Sequence, residues 1–143
     1  MKGFSIIGAR GRVDDRESLV DYFRAAEGDG IALDSEEVKG IEHIQSAIMH
    51  SQRAFERGDN VSTRMLMETL LYASGERQIS LAISKMGVKS GSEDVIFILE
   101  GLEPEMVLRE LGMERDDSVI AIVSEDEKKD ALERVALVDI IKR

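Results

Sequence analysis

His43 and His50 are the only imidazoles in a chain of 143 residues that has no cysteine. Seven positions apart, they fall near one face of a helix, two turns from each other. A metal pair on a helix would sit at i and i+4, as in H-E-x-x-H, and Ala47 occupies that place. Without cysteine there is no thiolate nucleophile, no disulfide and no Cys-based zinc site. Neither G-x-G-x-x-G nor G-x-x-x-x-G-K-[ST] occurs, so no phosphate cradle of those kinds is expected. "GARG" at 8 to 11 matches the G-x-x-G loop of KH domains by letters only. It follows a strand pattern, whereas that loop joins two helices. A nucleophilic serine would need a histidine base, and nothing positions one. Asp116-Asp117 and Glu125-Asp126-Glu127 read as turns and helix N-termini, where carboxylates suit the helix dipole. The expectation is a chain without catalytic residues, metal site or cofactor.

Charge offers more than catalytic motifs do. The net charge of -10 opposes nonspecific nucleic-acid binding over the whole surface. Residues 50 to 90 nevertheless carry six Lys/Arg (Arg53, Arg57, Arg64, Arg77, Lys85, Lys89) against four acids (Glu56, Asp59, Glu68, Glu76). That segment is +2 and the remainder -12. Lys2, Arg10 and Arg12 add positive charge near the start, with no acid before residue 14, and residues 93 to 133 are strongly acidic. A bipolar chain can hold a polyanion at one place and repel it elsewhere; a chance balance is the plain alternative.

These residues need elements to position them. Hydrophobic residues are 43% and charged residues 34%, a globular composition of single-domain size, so one domain over 1–143 is expected. No apolar run approaches the ~20 residues of a membrane helix. "MKGFSIIGARGR" lacks a cleavage site, so no signal peptide and a cytoplasmic location are expected. "FSIIGARGRV" predicts a strand. Leu19, Val20, Phe23 and Ala26 predict a helix capped by Asp14 or Asp15 and stopped at Gly28. Ile31 to Asp34 predicts a short strand. Ser35 then caps a long helix with Val38, Ile41, Ile44, Ile48 and Phe55 on one stripe, ending at Gly58. Asn60 or Ser62 starts the next helix, Ser74-Gly75 closes it, and Gln78 to Met86 forms a third. "EDVIFILEG" predicts a buried strand, Pro104 to Gly112 a helix, "SVIAIVS" a fourth strand and Asp126 to Ile141 a last helix. The expected fold is α/β (α+β): a small mixed sheet of about four strands packed with about six helices.

The last helix, within "ERVALVDIIKR", has apolar residues all around its axis. Ala131, Val135 and Val138 share one face, Leu132, Ala136 and Ile140 another, and Leu137 with Ile141 a third. One core of this size cannot absorb them all, and an apolar patch left outside marks a partner site. A fully buried helix or a closing strand is the alternative. The β-branched Val135 and Val138 suit a sheet-packed side, which leaves Leu132, Ala136 and Ile140 as the partner-facing stripe.

Residues 38 to 88 contain Gly40, His43, Ala47, Ala54-Phe55, Asn60-Val61-Ser62 and Glu68, then Leu70-Leu71, Ser74-Gly75, Arg77-Gln78-Ile79, Ala82-Ile83 and Gly87-Val88. With these residues the segment resembles the Cgi-type, PRPK-binding subunit of the KEOPS complex. "LERVALVDI" also resembles the family's C-terminal helix. The resemblance implies a noncatalytic accessory subunit of the machinery that makes N6-threonylcarbamoyladenosine in tRNA. Such subunits bind a kinase-like ATPase subunit, and some hold the single-stranded CCA end of tRNA. The expected tRNA contacts are Arg64, Tyr72, Ser74, Gly75, Arg77, Gln78 and Lys85. Arg77 would be the charge-assisted phosphate donor, Gln78 would read a base edge and Tyr72 is the one aromatic near the elbow. A structural alternative pairs Arg77 with Glu68 or Glu76 and uses Gln78 as a cap. Two rival functions stay open: a protein-only regulator of the kinase-like subunit without RNA contact, and a small enzyme, which the missing base, metal and nucleotide motifs disfavour.

Overall fold

The computed structural model of the chain describes residues 3–142; the Lys2 of the charge count lies outside them. The elements in order are β1 (Phe4–Arg10), α1 (Arg16–Ala25), β2 (Asp29–Asp34), α2 (Ile41–Arg57), α3 (Met65–Ser74), α4 (Ile79–Met86), β3 (Asp94–Glu100), α5 (Pro104–Leu111), β4 (Glu114–Arg115) and α6 (Glu125–Ile141). Single 3-10 turns occupy Ser35–Glu37 and Asp117–Val119. Six helices and four strands match the expected class. Every pairing in the sheet, of order β2-β3-β1-β4, is antiparallel rather than mixed.

The chain divides into two compact units. The first holds residues up to Glu36 and Gly87–Ile120, and so contains the whole sheet with α1 and α5. β1 lies against β3 from Phe4 opposite Glu100 to Arg10 opposite Asp94. Ile7, Ala9, Val95, Phe97 and Leu99 form one core with Leu19 and Phe23 of α1 and Val107 and Leu108 of α5. Asp15 caps α1 by accepting the Glu17 N–H at 3.0 Å, as expected; the helix ends at Ala25, short of Gly28.

The second unit holds Glu37–Met86 and the chain from Ala121 onward, and it is helical. α3 packs against α2, α4 and α6, and α6 also packs on α2. α3 is buried along most of its length, including Leu66, Leu70, Leu71 and Ala73. Gly58 and Gly75 end α2 and α3 in the left-handed conformation, as the sequence indicates.

Three sequence expectations are corrected. "SVIAIVS" is not a strand. Asp116 caps a 3-10 turn by accepting the Ser118 N–H, and residues 120–123 run on without pairing to Ser124, the N-cap of α6. The edge of β1 beside it is already filled. Arg115 and Glu114 pair with Ala9 and Arg10, Asp116 N–H donates to Gly8 O at 2.9 Å, and Gly8 N–H donates to Asp117 Oδ1 at 3.0 Å. Strand propensity beside an edge that is already occupied yields no strand there. Ser35 does not cap α2, because Gly40 intervenes with φ of 93° and serves as the N-cap. α3 starts at Met65 rather than near Asn60 or Ser62, since Glu68 draws those residues into a closed loop, described next.

Candidate functional site

Glu68 is fully buried on α3. Its Oε1 accepts the Val61 and Ser62 N–H groups at 2.9 and 2.8 Å, and its Oε2 accepts from Lys142 Nζ at 2.8 Å. Asn60 Nδ2 closes the same loop by donating to Ser62 O at 2.8 Å. The Asn60-Val61-Ser62 and Glu68 positions therefore build the α2–α3 connection. A buried carboxylate needs this many donors, because an unpaired one is costly.

Beside Glu68 lies a second cluster. Asp139 of α6 accepts from Tyr72 Oη, from His50 Nδ1 at 3.0 Å and from Arg57 Nη2 at 3.0 Å. Burial pushes the Asp139 carboxyl up, but the Tyr72 and His50 hydrogen bonds and the Arg57 charge outweigh it and hold it below its usual range. Burial, then the bond to Asp139, pushes the Tyr72 hydroxyl up. The His50 ring stacks on Tyr72 with centroids 5.5 Å apart, and Lys142 Nζ sits 4.6 Å from the Tyr72 centroid. Tyr72 is thus fully buried with its ring engaged, and it offers no base a stacking face. This removes it from the expected RNA contacts.

Ser74 leaves that set for a similar reason. It is fully buried, its hydroxyl donates to Leu71 O at 3.0 Å, and it accepts the Glu76 N–H at 3.2 Å. Gly75 is the half-buried C-cap with φ of 75°, and a Cβ built there would lie 2.5 Å from Arg134 Cγ. Lys85 is half-buried and donates from Nζ to Ser74 O at 2.9 Å, so its charge tethers α4 to the end of α3. Arg77 and Gln78 are exposed in the elbow between α3 and α4. Glu68 pairs with Lys142 and not with Arg77, and Gln78 contributes its backbone carbonyl to the Ala82 N–H. Arg64 is exposed at the other end of α3, whose ten residues span about 15 Å, so it does not join the elbow.

The structure gathers two cations around His43 that the charge count of residues 50 to 90 did not include. His43 is fully buried; its Nδ1 accepts the Lys39 N–H at 2.9 Å and its Nε2 bonds Ala73 O at 2.8 Å. Burial lowers its pKa most, the Ala73 hydrogen bond opposes it, and the nearby charges of Arg134, Lys39 and Lys85 lower it further. Lys39 precedes α2 and Arg134 lies on α6, so no charge count over one segment could join them to Lys85. Charge also separates by unit. The sheet-bearing unit has 8 Lys/Arg and 17 Asp/Glu, a balance of -9, which leaves 11 and 12, or -1, for the helical unit.

The last helix shows which faces are covered. Ala131, Val135 and Val138 are fully buried, against α2 and α3 rather than against the sheet face first expected. Lys128 and Asp139 mark the edge toward α2, through Glu42 and His50, and Arg134 the edge beside Gly75. Between those edges, Leu132 is half-buried and Ala136, Leu137, Ile140 and Ile141 are exposed, Ile140 to 68%. The first turn is acidic, with Glu125, Asp126 and Glu127, and Ser124 caps it by accepting the Glu127 N–H at 3.2 Å. The S-x-x-E spacing at 124 to 127 is a legible helix start that a strand reading passes over.

Among the described residues no group of three or more His, Cys, Asp or Glu could hold a metal ion. No helix among them is long and apolar enough to cross a membrane. No curated protein matches the chain. A family model, described as kinase binding protein CGI-121, matches residues 12–142, reaching well beyond residues 38 to 88 and through the acidic stretch from 91 to 125. With nearly its whole length matched, and with the loop, caps and last helix in place, the chain belongs to the CGI-121 family of kinase binding proteins.

Proposed function

We propose that this chain is a noncatalytic accessory subunit of the KEOPS assembly that makes N6-threonylcarbamoyladenosine in tRNA. It docks on the kinase-like ATPase subunit through the outer face of α6, and it holds the single-stranded CCA end of tRNA at the elbow. The family description supports the kinase partner. The observation that carries the docking face is the run Ala136, Leu137, Ile140 and Ile141, all exposed on the last two turns of one helix. Such a continuous apolar surface is costly to leave in water and suits a partner. KEOPS and tRNA enter from the resemblance of residues 38 to 88.

The RNA site rests on Arg77 and Gln78 in the elbow, with Gly75 beneath them and Lys39, Lys85 and Arg134 around His43. Cations concentrated in the nearly neutral unit of an acidic protein suit a phosphate backbone, and the -9 of the other unit steers RNA away from it. With Tyr72 buried, bases would rest on the Arg77 guanidinium or on the aliphatic Leu81, which is 48% exposed. Arg64 would then contact more distant nucleotides. Mobility-shift titration of tRNA, intact or trimmed of its CCA end, tests this. Intact tRNA should bind more tightly, Arg77→Ala should weaken it and added salt should weaken it further. Equal binding of both RNAs, or salt-independent binding, would favour a protein-only regulator of the kinase-like subunit.

A further inference from the structure

His43 sits where three chain segments meet, and it touches two of them through opposite hydrogen-bonding roles. Lys39 N–H donates to Nδ1, so Nδ1 must carry a lone pair; Nε2 then holds the proton and donates to Ala73 O. Only the neutral ring in this tautomer satisfies both bonds. Ala73 is followed by Ser74, whose carbonyl accepts from Lys85 Nζ, and by Gly75, which Arg134 covers. Ring protonation would set N–H against the Lys39 N–H and add a fourth positive charge beside Arg134, Lys39 and Lys85.

We propose that His43 is the positioning residue of this cation cluster: its buried ring joins the backbone of Lys39 to the end of α3, so that Lys39, Lys85 and Arg134 face one single-stranded phosphate backbone together. The inference rests on the RNA reading above. His43 is fully buried and touches no ligand; it acts through the segments that it ties. Asn places an acceptor where Nδ1 stands, and Gln places a donor where Nε2 stands. His43→Asn therefore keeps the bond to Lys39, and His43→Gln keeps the bond to Ala73 while releasing Lys39.

The test measures binding of an RNA oligonucleotide ending in CCA to the full chain across a salt series. Each phosphate neutralised contributes about 0.7 to the slope of log K against log salt for a single strand. His43→Gln, folded by circular dichroism, should bind several-fold more weakly with a slope shallower by about 0.7. Lys39→Ala should flatten the wild-type slope by the same amount and add nothing to His43→Gln, and His43→Asn, which severs the join at Ala73, should flatten it too. A purely structural role predicts an unchanged slope and additive losses, and that result would overturn the proposal. If His43→Gln does not fold, the wild-type ring nitrogens decide by NMR: RNA should shift their resonances with the saturation of binding, and an unmoved ring would overturn it. Wild-type protein that binds no RNA would overturn the RNA reading, and this inference with it.

Discussion

Replacing Lys142 with Met should cost far more stability than a residue at the end of a helix usually does. The Lys142 side chain is only 2% exposed and meets a fully buried Glu68 carboxylate at 2.8 Å. Asp59 lies 3.8 Å from the ammonium, and the Tyr72 ring lies beneath it. Met fills similar volume and removes the charge. Glu68 keeps its Val61 and Ser62 N–H donors but loses the Lys142 cation. Breaking a buried pair in this way costs about 3–5 kcal/mol, and the two remaining amide donors place the expected loss near 3. For a chain of this size that lowers Tm by roughly 6–12 °C. Glu68→Gln keeps an acceptor for the two amides, and Lys142 keeps Asp59, so its loss should be smaller, about 2 kcal/mol. The double variant should lose less than the sum, since each change removes the other's reason for being paired. Urea and thermal unfolding at neutral pH measure all three. A Lys142→Met variant within about 0.5 kcal/mol of wild type would refute the reasoning, because that is the effect of an ordinary surface substitution.

Two further perturbations test the elbow. His43 has a lowered pKa in the fold, so the unfolded chain binds the proton more readily. The resulting stability is complete above the ordinary value of about 6.5, declines as pH falls below it, and is gone below the folded-state pKa. Tm should therefore drop between pH 7 and pH 5, and His43→Gln should flatten that limb in a calorimetric pH series. Gly75→Ala should destabilise by about 1–2 kcal/mol from its φ of 75° alone, and by more because the new Cβ meets Arg134 Cγ. Chemical denaturation reads this, and Arg134→Ala in the same chain should recover part of the loss.

The sequence exposes those parts of the molecule whose causes are local. The run Val95 to Leu99 reads as a buried strand because five apolar residues follow one another, and it is one. Gly58, Gly75 and Gly112 read as helix ends because each must adopt positive φ there. Val135 and Val138 read as covered because they are β-branched, and both are buried; of the stripe Leu132, Ala136 and Ile140, the last two are exposed and Leu132 is half-buried. What stays hidden depends on remote partners. Residues 118 to 124 have strand composition, but the β1 edge is filled by residues 114 to 117. Tyr72 looks available beside the elbow until Asp139, 67 positions away, takes its hydroxyl. Arg134 reaches His43 only once α2, α3 and α6 are packed, and only that packing sets Lys39, four residues before His43, beside it. In the candidate site, the sequence indicates the elbow and the helix, and tertiary packing decides which side chains remain available.

Docking through α6 is tested most directly by calorimetric titration of the kinase-like subunit with wild-type chain and with Ala136→Glu. Ala136 is exposed, so the variant should fold and melt as wild type. It should also keep its RNA affinity, because Ala136 lies off the edge of α6 that carries Arg134. A carboxylate set into an apolar contact should cost at least about 2 kcal/mol, roughly 30-fold in Kd. The predicted result is loss of partner binding by a folded variant; partner binding at the wild-type level would contradict it and move the docking face elsewhere.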